Sequence, residues 1–181
     1  MRIKEINAKN ILTKSKLTGC DYVINPYVGC QHGCLYCYAS FMKRFTNHEE
    51  DWGDFIDVKI NSYQLLKGNL SGKTVFISSV TDSWQPIEKK YKLMRKILPR
   101  LFLLNPRLSV LTKSDLIVRD IDLLRKFKHH EVGISLSTLD ENLRKQVEPL
   151  ASSVEKRINA LKELKKAGLK TFTFISPILP G

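Results

Sequence analysis

Between Thr74 and Ser176 the chain alternates short β-branched apolar runs with longer stretches whose apolar residues recur every three or four positions. Few folds accommodate that alternation. Thr74–Val80 reads as a buried strand. Pro86 can open the next helix, on which Ile87, Tyr91, Met94, Leu98 and Leu101 share one face. Leu108–Thr112 reads as a strand, and Asp115–Phe127 as a helix with Ile117, Ile121 and Leu124 on one side. Val132–Ser137 is another strand, and a short helix over Glu141–Val147 ends before Pro149. Ser152 and Glu155 match a capping box for a helix carrying Val154, Ile158, Leu161 and Leu164, with Gly168 as its stop. Lys170–Ser176 is a last strand, running into Pro177 and Pro180.

Upstream, Asp21–Tyr27 contains a further strand candidate, followed by Gly29 and a cysteine-rich loop. Asp54–Leu70 reads as a helix with an exit at Gly68–Asn69. Residues 1–19 carry little element signal and read as an N-terminal extension to a core over 20–181. The five strands, at about 22–26, 74–80, 108–112, 132–137 and 170–176, imply an α/β fold: a parallel sheet with helices outside it. A sheet rolled into part of a barrel would gather its active groups where strands end; a doubly wound open sheet is the alternative. No GxGxxG or Walker motif is present to support dinucleotide or P-loop binding. The sequence stops just after its fifth strand, so we expect either a longer parent chain or a partner that completes the barrel.

Composition narrows the class. At 181 residues, 43% hydrophobic and 27% charged, the chain suits one soluble globular domain. It has no run of eighteen apolar residues, and MRIKEINAKN lacks the apolar stretch of a secretory signal, so no membrane role and a cytoplasmic location are expected. The formal charge of +12 is spread along the chain. It could guide the protein to DNA or RNA, or simply reflect solvated lysine-rich helices.

Four cysteines, Cys20, Cys30, Cys34 and Cys37, are crowded near the N-terminus. Disulfide frameworks tie distant loops together, so this clustering points to a metal centre. In NPYVGCQHGCLYCYA the last three are separated by three and then two residues. Three thiolates on one short loop can occupy three corners of a [4Fe–4S] cubane and leave the fourth iron open to an exchangeable ligand. The competing reading is structural zinc held by all four cysteines, with His32 as another potential ligand. The two readings differ in whether Cys20 takes part.

The loop, with Tyr36 before its last cysteine, resembles the CxxxCxxC motif of the radical S-adenosylmethionine (SAM) superfamily. The NPY and YCYA text, with SSVTDSWQPIE at 78–88, LTKSDLIVRDIDLL at 111–124, SLSTLD at 135–140 and ISPILPG at 175–181, is similar to the spore photoproduct lyase-like group, also called DNA repair photolyase-like. The resemblance implies a partial (β/α)6 TIM-like barrel of the radical SAM type, truncated here after about five strands. It implies Cys30, Cys34 and Cys37 as cluster ligands, SAM on the open iron, and a reductant such as flavodoxin or ferredoxin as partner. It also places Tyr36 near the SAM adenine, Lys113 near the SAM carboxylate and Ser135 near the ribose. Where relatives carry a GGE-like segment, this chain has Thr81 and Asp82, whose oxygens can receive an ammonium; their other reading is helix capping.

Several neighbours have two readings. His32 could face the cluster or solvent; Trp84 could stack on a base or pack in its loop. Arg144 and Glu148, spaced i,i+4, read as a surface ion pair, and Arg119, Asp120 and Asp122 as similar local pairs. Lys59 and Asn61 match a VKxN-like segment of unassigned role. Spore photoproduct lyase uses a cysteine near the end of its second strand as hydrogen donor, where this chain has Val80, Thr81 and Asp82. Tyr22, Tyr27 and Tyr38 are substitutes to consider. The expected function is a lyase-like radical SAM enzyme abstracting hydrogen from a substrate, with nucleic acid the leading class. The alternative is a non-catalytic or partner-dependent iron–sulfur protein that binds nucleic acid or another protein.

Overall fold

The computed structural model describes residues 1–179. The chain runs β1 (Arg2–Ile6), β2 (Leu12–Lys14), β3 (Tyr22–Ile24), β4 (Tyr27–Val28), β5 (Phe55–Lys59) and β6 (Thr74–Ile77). It continues α1 (Glu88–Tyr91), α2 (Leu93–Leu103), β7 (Arg107–Thr112), α3 (Ile121–Leu124), β8 (His130–Ser135), α4 (Glu141–Val147), α5 (Val154–Lys166) and β9 (Thr171–Phe174). Pro180 and Gly181, the end of the ISPILPG segment, lie outside the described residues.

The main sheet has the order β2-β3-β6-β7-β8-β9. The expected five strands, β3, β6, β7, β8 and β9, pair in parallel and in chain order, and β2 adds antiparallel to β3. The strands alternate in burial because their two faces meet different surroundings. Val75, Ile77, Leu108, Val110, Val132 and Ile134 point into the core with Met94, Ile97, Leu98 and Leu164 from the helices. Phe76, Leu111, Phe172 and Phe174 line a cavity instead. With β2 and β9 as its two edges, the sheet is open.

The helix expected over Asp54–Leu70 is absent. Phe55–Lys59 is a strand and Ser62–Leu65 a single 3-10 turn. β5 pairs in parallel with β1 and antiparallel with β4, forming a second, three-stranded sheet from residues near the N-terminus. Phe55, Ile56 and Val58 are fully buried there. Ile56, Val58 and Ile60 repeat every second residue, which is a strand's period. Lys59 and Asn61 have structural roles: Lys59 Nζ donates to the Asn25 carbonyl (2.8 Å), and the Asn61 amide brackets the backbone of Ala8 (2.9 and 3.0 Å).

Three helix predictions need revision. The stripe after Pro86 is split into α1 and α2 by Lys92, which is left-handed at φ 51°. Glu88, from α1, causes the break by accepting the Leu93 and Met94 amides (2.9 and 3.0 Å), so a carboxylate caps α2 from outside it. The Asp115–Phe127 helix is a 3-10 helix over Asp115–Asp120 followed by the single turn α3; Ser114 caps it. The residue capping α5 is Ser153, one place after the predicted Ser152. Ser152 is diverted because its hydroxyl donates to the Asp115 carboxylate (2.5 Å).

Gly29 sits where β4 leaves for the cysteine loop, at φ 89°, and a Cβ there would overlap the carbonyl oxygen of Phe55. Only glycine combines that torsion with that approach. Gly29→Ala is therefore expected to destabilise the protein by about 1–3 kcal/mol or more. A urea midpoint equal to that of the unsubstituted protein would contradict this account.

Candidate functional site

A cavity of about 610 Å³ opens at the C-terminal ends of the parallel strands. Its lining includes Cys30, His32, Cys34, Tyr36 and Cys37 from the loop after β4, and Ser78–Asp82 after β6. Thr112 and Lys113 from the end of β7, Ser135 from β8, and Phe172 and Phe174 from β9 complete much of the wall. Every site residue expected from the sequence, namely Cys30, Cys34, Cys37, Tyr36, Thr81, Asp82, Lys113 and Ser135, lies on this surface.

All four cysteines are free of disulfides. Cys20 lies away from the others. It precedes β3, its sulfur donates to the Tyr22 carbonyl (3.0 Å), and its backbone neighbour is Thr74 at the start of β6. The cysteine loop follows β4, beyond the other end of β3, so Cys20 stands apart from Cys30, Cys34 and Cys37. Burial, with the Asp82 charge, pushes the Cys30 thiol up, against the pull of backbone amides of His32 and Asp82. Burial likewise pushes Cys34 up to about 12, against the attraction of Lys113.

Two buried carboxylates hold the cysteine loop. Asp82 accepts from His32 Nε2 (3.0 Å), Thr112 Oγ1 (2.7 Å), the Lys113 amide (2.8 Å) and the Trp84 amide (2.9 Å). His32 is neither solvated nor aimed at a sulfur: its other ring nitrogen meets the Leu150 carbonyl at 3.2 Å. Burial alone would raise the Asp82 carboxyl, but His32 and these hydrogen bonds outweigh it and hold it at about 2. Thr81 Oγ1 donates to the Gly29 carbonyl (2.5 Å) and accepts from Gln85 (3.1 Å). Both residues proposed to receive an ammonium thus have their side-chain oxygens committed to the protein.

The second carboxylate is Glu148, which sequence reasoning placed on the surface with Arg144. It is fully buried. It pairs with the buried guanidinium of Arg157 and accepts from the Tyr36 phenol and from Ser137 Oγ (2.8 Å). Burial would raise its carboxyl, yet Arg157, the Tyr36 hydrogen bond and Lys113 hold it below its ordinary value. Arg144, also buried, instead grips Glu141 and the carbonyls of Glu148, Pro149 and Ala151. Removing one partner of such a buried pair costs about 3–5 kcal/mol.

Lys113 Nζ lies 4.0 Å from Glu148 and 5.6 Å from the centre of the Tyr36 ring. Ser135 Oγ is buried on the cavity wall with no hydrogen-bond partner among the described residues. An orphaned hydroxyl beside a cavity fits a polar ligand. Among the proposed hydrogen donors, Tyr38 lines the cavity, with its phenol donating to the Ser79 carbonyl. Tyr27 is in the core, bonded to Glu88 (2.5 Å), and Tyr22 is half-buried outside the cavity lining. Trp84 is fully buried, with its indole N–H on Asp120 (2.8 Å), so base stacking is excluded for it. Asp120 is buried too, bridged through Arg119 to Glu88, rather than part of a surface pair.

The radical SAM superfamily model matches residues 24–181. The chain belongs to the radical SAM superfamily. A relative in Methanocaldococcus jannaschii, an uncharacterized protein, is 46% identical over 181 residues, covering 99% of this chain and 69% of its own length. Spore photoproduct lyase complexed with dinucleoside spore photoproduct superposes with a TM-score of 0.75 at 18% identity, over 99% of this chain and 52% of the lyase chain. A variant of that lyase with bound AdoMet and dinucleoside spore photoproduct gives 0.75 at 17%, with the same coverage. The radical SAM fold is thus present as an open, partial barrel, and the chain spans about half the length of these lyase structures. Among the described residues, no helix is long and apolar enough to cross a membrane.

The radical SAM residues present fit an iron–sulfur cluster by their donor chemistry. Three thiols free of disulfides share one cavity wall, which is the donor set a cubane takes. Among the described residues, no three His, Cys, Asp or Glu side chains converge on a single-ion site. A cubane takes its thiolates at separate corners and needs no such convergence.

Asp82 provides a pH test of the clamp. Its folded value lies below the ordinary 3.8, so its stabilisation is present above that pH and lost as pH falls through about 2. Asp82→Asn is expected to be less stable than the unsubstituted apo protein near neutrality, with the gap closing across this acid window. Urea midpoints followed against pH check it; a constant gap would remove the ionised carboxylate from the account.

Proposed function

We propose that this cavity binds a [4Fe–4S] cluster through Cys30, Cys34 and Cys37, with SAM beside it, and that the protein is a radical SAM enzyme abstracting hydrogen from a substrate. One observation carries the reading: three free thiols and an orphaned buried hydroxyl, Ser135, line the same cavity at the strand ends. Bound there, cluster and SAM would supply reductive sulfonium cleavage and a carbon-centred radical able to abstract hydrogen.

The chain's own residues divide the remaining work. Lys113 offers an ammonium to the SAM carboxylate, and Ser135 offers its hydroxyl to the ribose. The Tyr36 ring forms wall for the adenine. Asp82 and Thr81 act through the loop they fix, since their oxygens are already engaged. Phe76, Leu111, Phe172 and Phe174 give the cavity apolar walls that limit water. Of the three candidate donors Tyr22, Tyr27 and Tyr38, Tyr38 lines the cavity, which supports it as the one that would exchange a hydrogen atom with substrate.

The proposed substrate class is nucleic acid. The +12 charge supports it, as does the likeness to a lyase whose structures hold a dinucleoside. Thymine-lesion repair by the lyase's own route is not proposed, because Val80, Thr81 and Asp82 replace its donor cysteine. A small reductant, flavodoxin or ferredoxin, would supply electrons.

Anaerobic reconstitution should give about four irons and four sulfides per chain. Cys34→Ser should reduce cluster content sharply, and reduced protein with SAM should release 5′-deoxyadenosine. Stoichiometric zinc without sulfide would overturn the cluster reading. DNA and RNA binding that is undetectable at low salt, with cluster-loaded protein, would overturn the substrate class.

A further inference from the structure

We propose that Glu148 is a positioning residue for the cofactor cavity: its carboxylate fixes the Tyr36 phenol and faces the Lys113 ammonium, setting the cysteine loop and the lysine in place before any cofactor binds. The proposal rests on reading this cavity as the cluster and SAM site.

Glu148 follows α4 directly, and the chain around it is the surface on which the cysteine loop lies. The Leu35 amide donates to the Val147 carbonyl (2.9 Å), and the Leu150 amide to the His32 carbonyl (3.3 Å). With the Tyr36–Glu148 bond, residues 32, 35 and 36 are all held. These positions alternate with Cys30, Cys34 and Cys37, so fixing them fixes the spacing of the sulfurs. Such supporting groups orient ligands as surely as the ligands bind the metal.

Arg157 makes the arrangement usable. It neutralises Glu148 from the buried side while also donating to the Ser152 and Ser135 carbonyls (2.7 and 2.9 Å). Glu148 therefore does not depend on Lys113 for its charge. At 4.0 Å the lysine is held near the carboxylate and the Tyr36 ring without being consumed, leaving its ammonium available to an anionic group in the cavity. Arg157 also fixes the backbone of Ser135, so one buried ion pair aligns the loop, the lysine and the orphaned hydroxyl.

The test uses Tyr36→Phe and Glu148→Gln. Tyr36→Phe removes only the phenolic O–H and keeps the Glu148–Arg157 pair, so it answers even if the second variant fails to fold. In the apo protein, iodoacetamide labelling of each cysteine is followed by mass spectrometry. Cys34 should be alkylated roughly tenfold faster in both variants, within the range over which supporting-shell losses act. Cys20, at the opposite end of the sheet, is the internal gauge and should keep its rate. In reconstituted protein, calorimetric SAM affinity should fall by about 10- to 100-fold. Equal acceleration at Cys20 and Cys34 would mean general loosening and would overturn the proposal, as would unchanged labelling and SAM affinity in folded variants. Selective acceleration at Cys34 in a protein that takes up no iron would sink the cofactor reading while upholding the hold of Glu148 on the loop.

Discussion

The carboxylate of Asp82 joins three pieces of chain that are far apart in sequence: the cysteine loop at His32, its own loop at Trp84, and the end of β7 at Thr112 and Lys113. A charge taken out of water costs several kcal/mol unless its lone pairs are satisfied. Here two backbone amides, a hydroxyl and an imidazole do so. Because the donors are spread over separate strand ends, satisfying the charge requires those ends to be in register. The cavity floor and the cysteine loop are thus fixed by the same hydrogen bonds. Glu148 repeats the device on the other flank, with Arg157 as its counter-ion. Polar groups gripping the loop from both flanks leave the apolar side chains of β6, β7 and β9 to form cavity wall.

This division explains what the sequence disclosed. The parallel strands were legible because each buries one face, leaving β-branched or apolar residues at every second position between helical stripes. The cysteine loop was legible because its spacing is local, and the fold sets Cys30, Cys34 and Cys37 on the cavity wall. The β1-β5-β4 sheet was hidden because β1 and β5 pair across some fifty residues, and RIKEI shows a charged, mostly exposed face. The break at Lys92 was hidden because its cause is a carboxylate reaching forward from α1.

The same reasoning accounts for Glu148. Its i,i+4 relation to Arg144 is the local pattern of a solvated pair, and nothing near it in sequence names Arg157, Tyr36 or Ser137 as partners. A signal did exist: the short α4 runs straight into Pro149, and a glutamate at such a junction cannot continue a helix face. It must turn inward or outward, and only the tertiary surroundings decide which. His32 and Asp82 were hidden likewise, each plausible as a direct ligand contact until the fold paired them.

Charge follows the same logic. The buried acids Asp82, Glu88, Asp120 and Glu148 have histidine or arginine partners, and Arg144 and Arg157 are buried with them. Arginine's planar fork can satisfy several carbonyls at once, as Arg144 and Arg157 do, and that suits it to the interior. Such pairs cancel locally and contribute little to the field outside. The excess of +12 is therefore carried mainly by solvated lysines, whose hold on a polyanion is diffuse and weakened by salt. Lys113 differs from them: it is the lysine in the cavity lining, and its charge faces a carboxylate and an aromatic ring. Under the proposed function, surface lysines would bring an anionic chain close, whereas Lys113, fixed by its neighbours, would meet an anionic group inside the cavity.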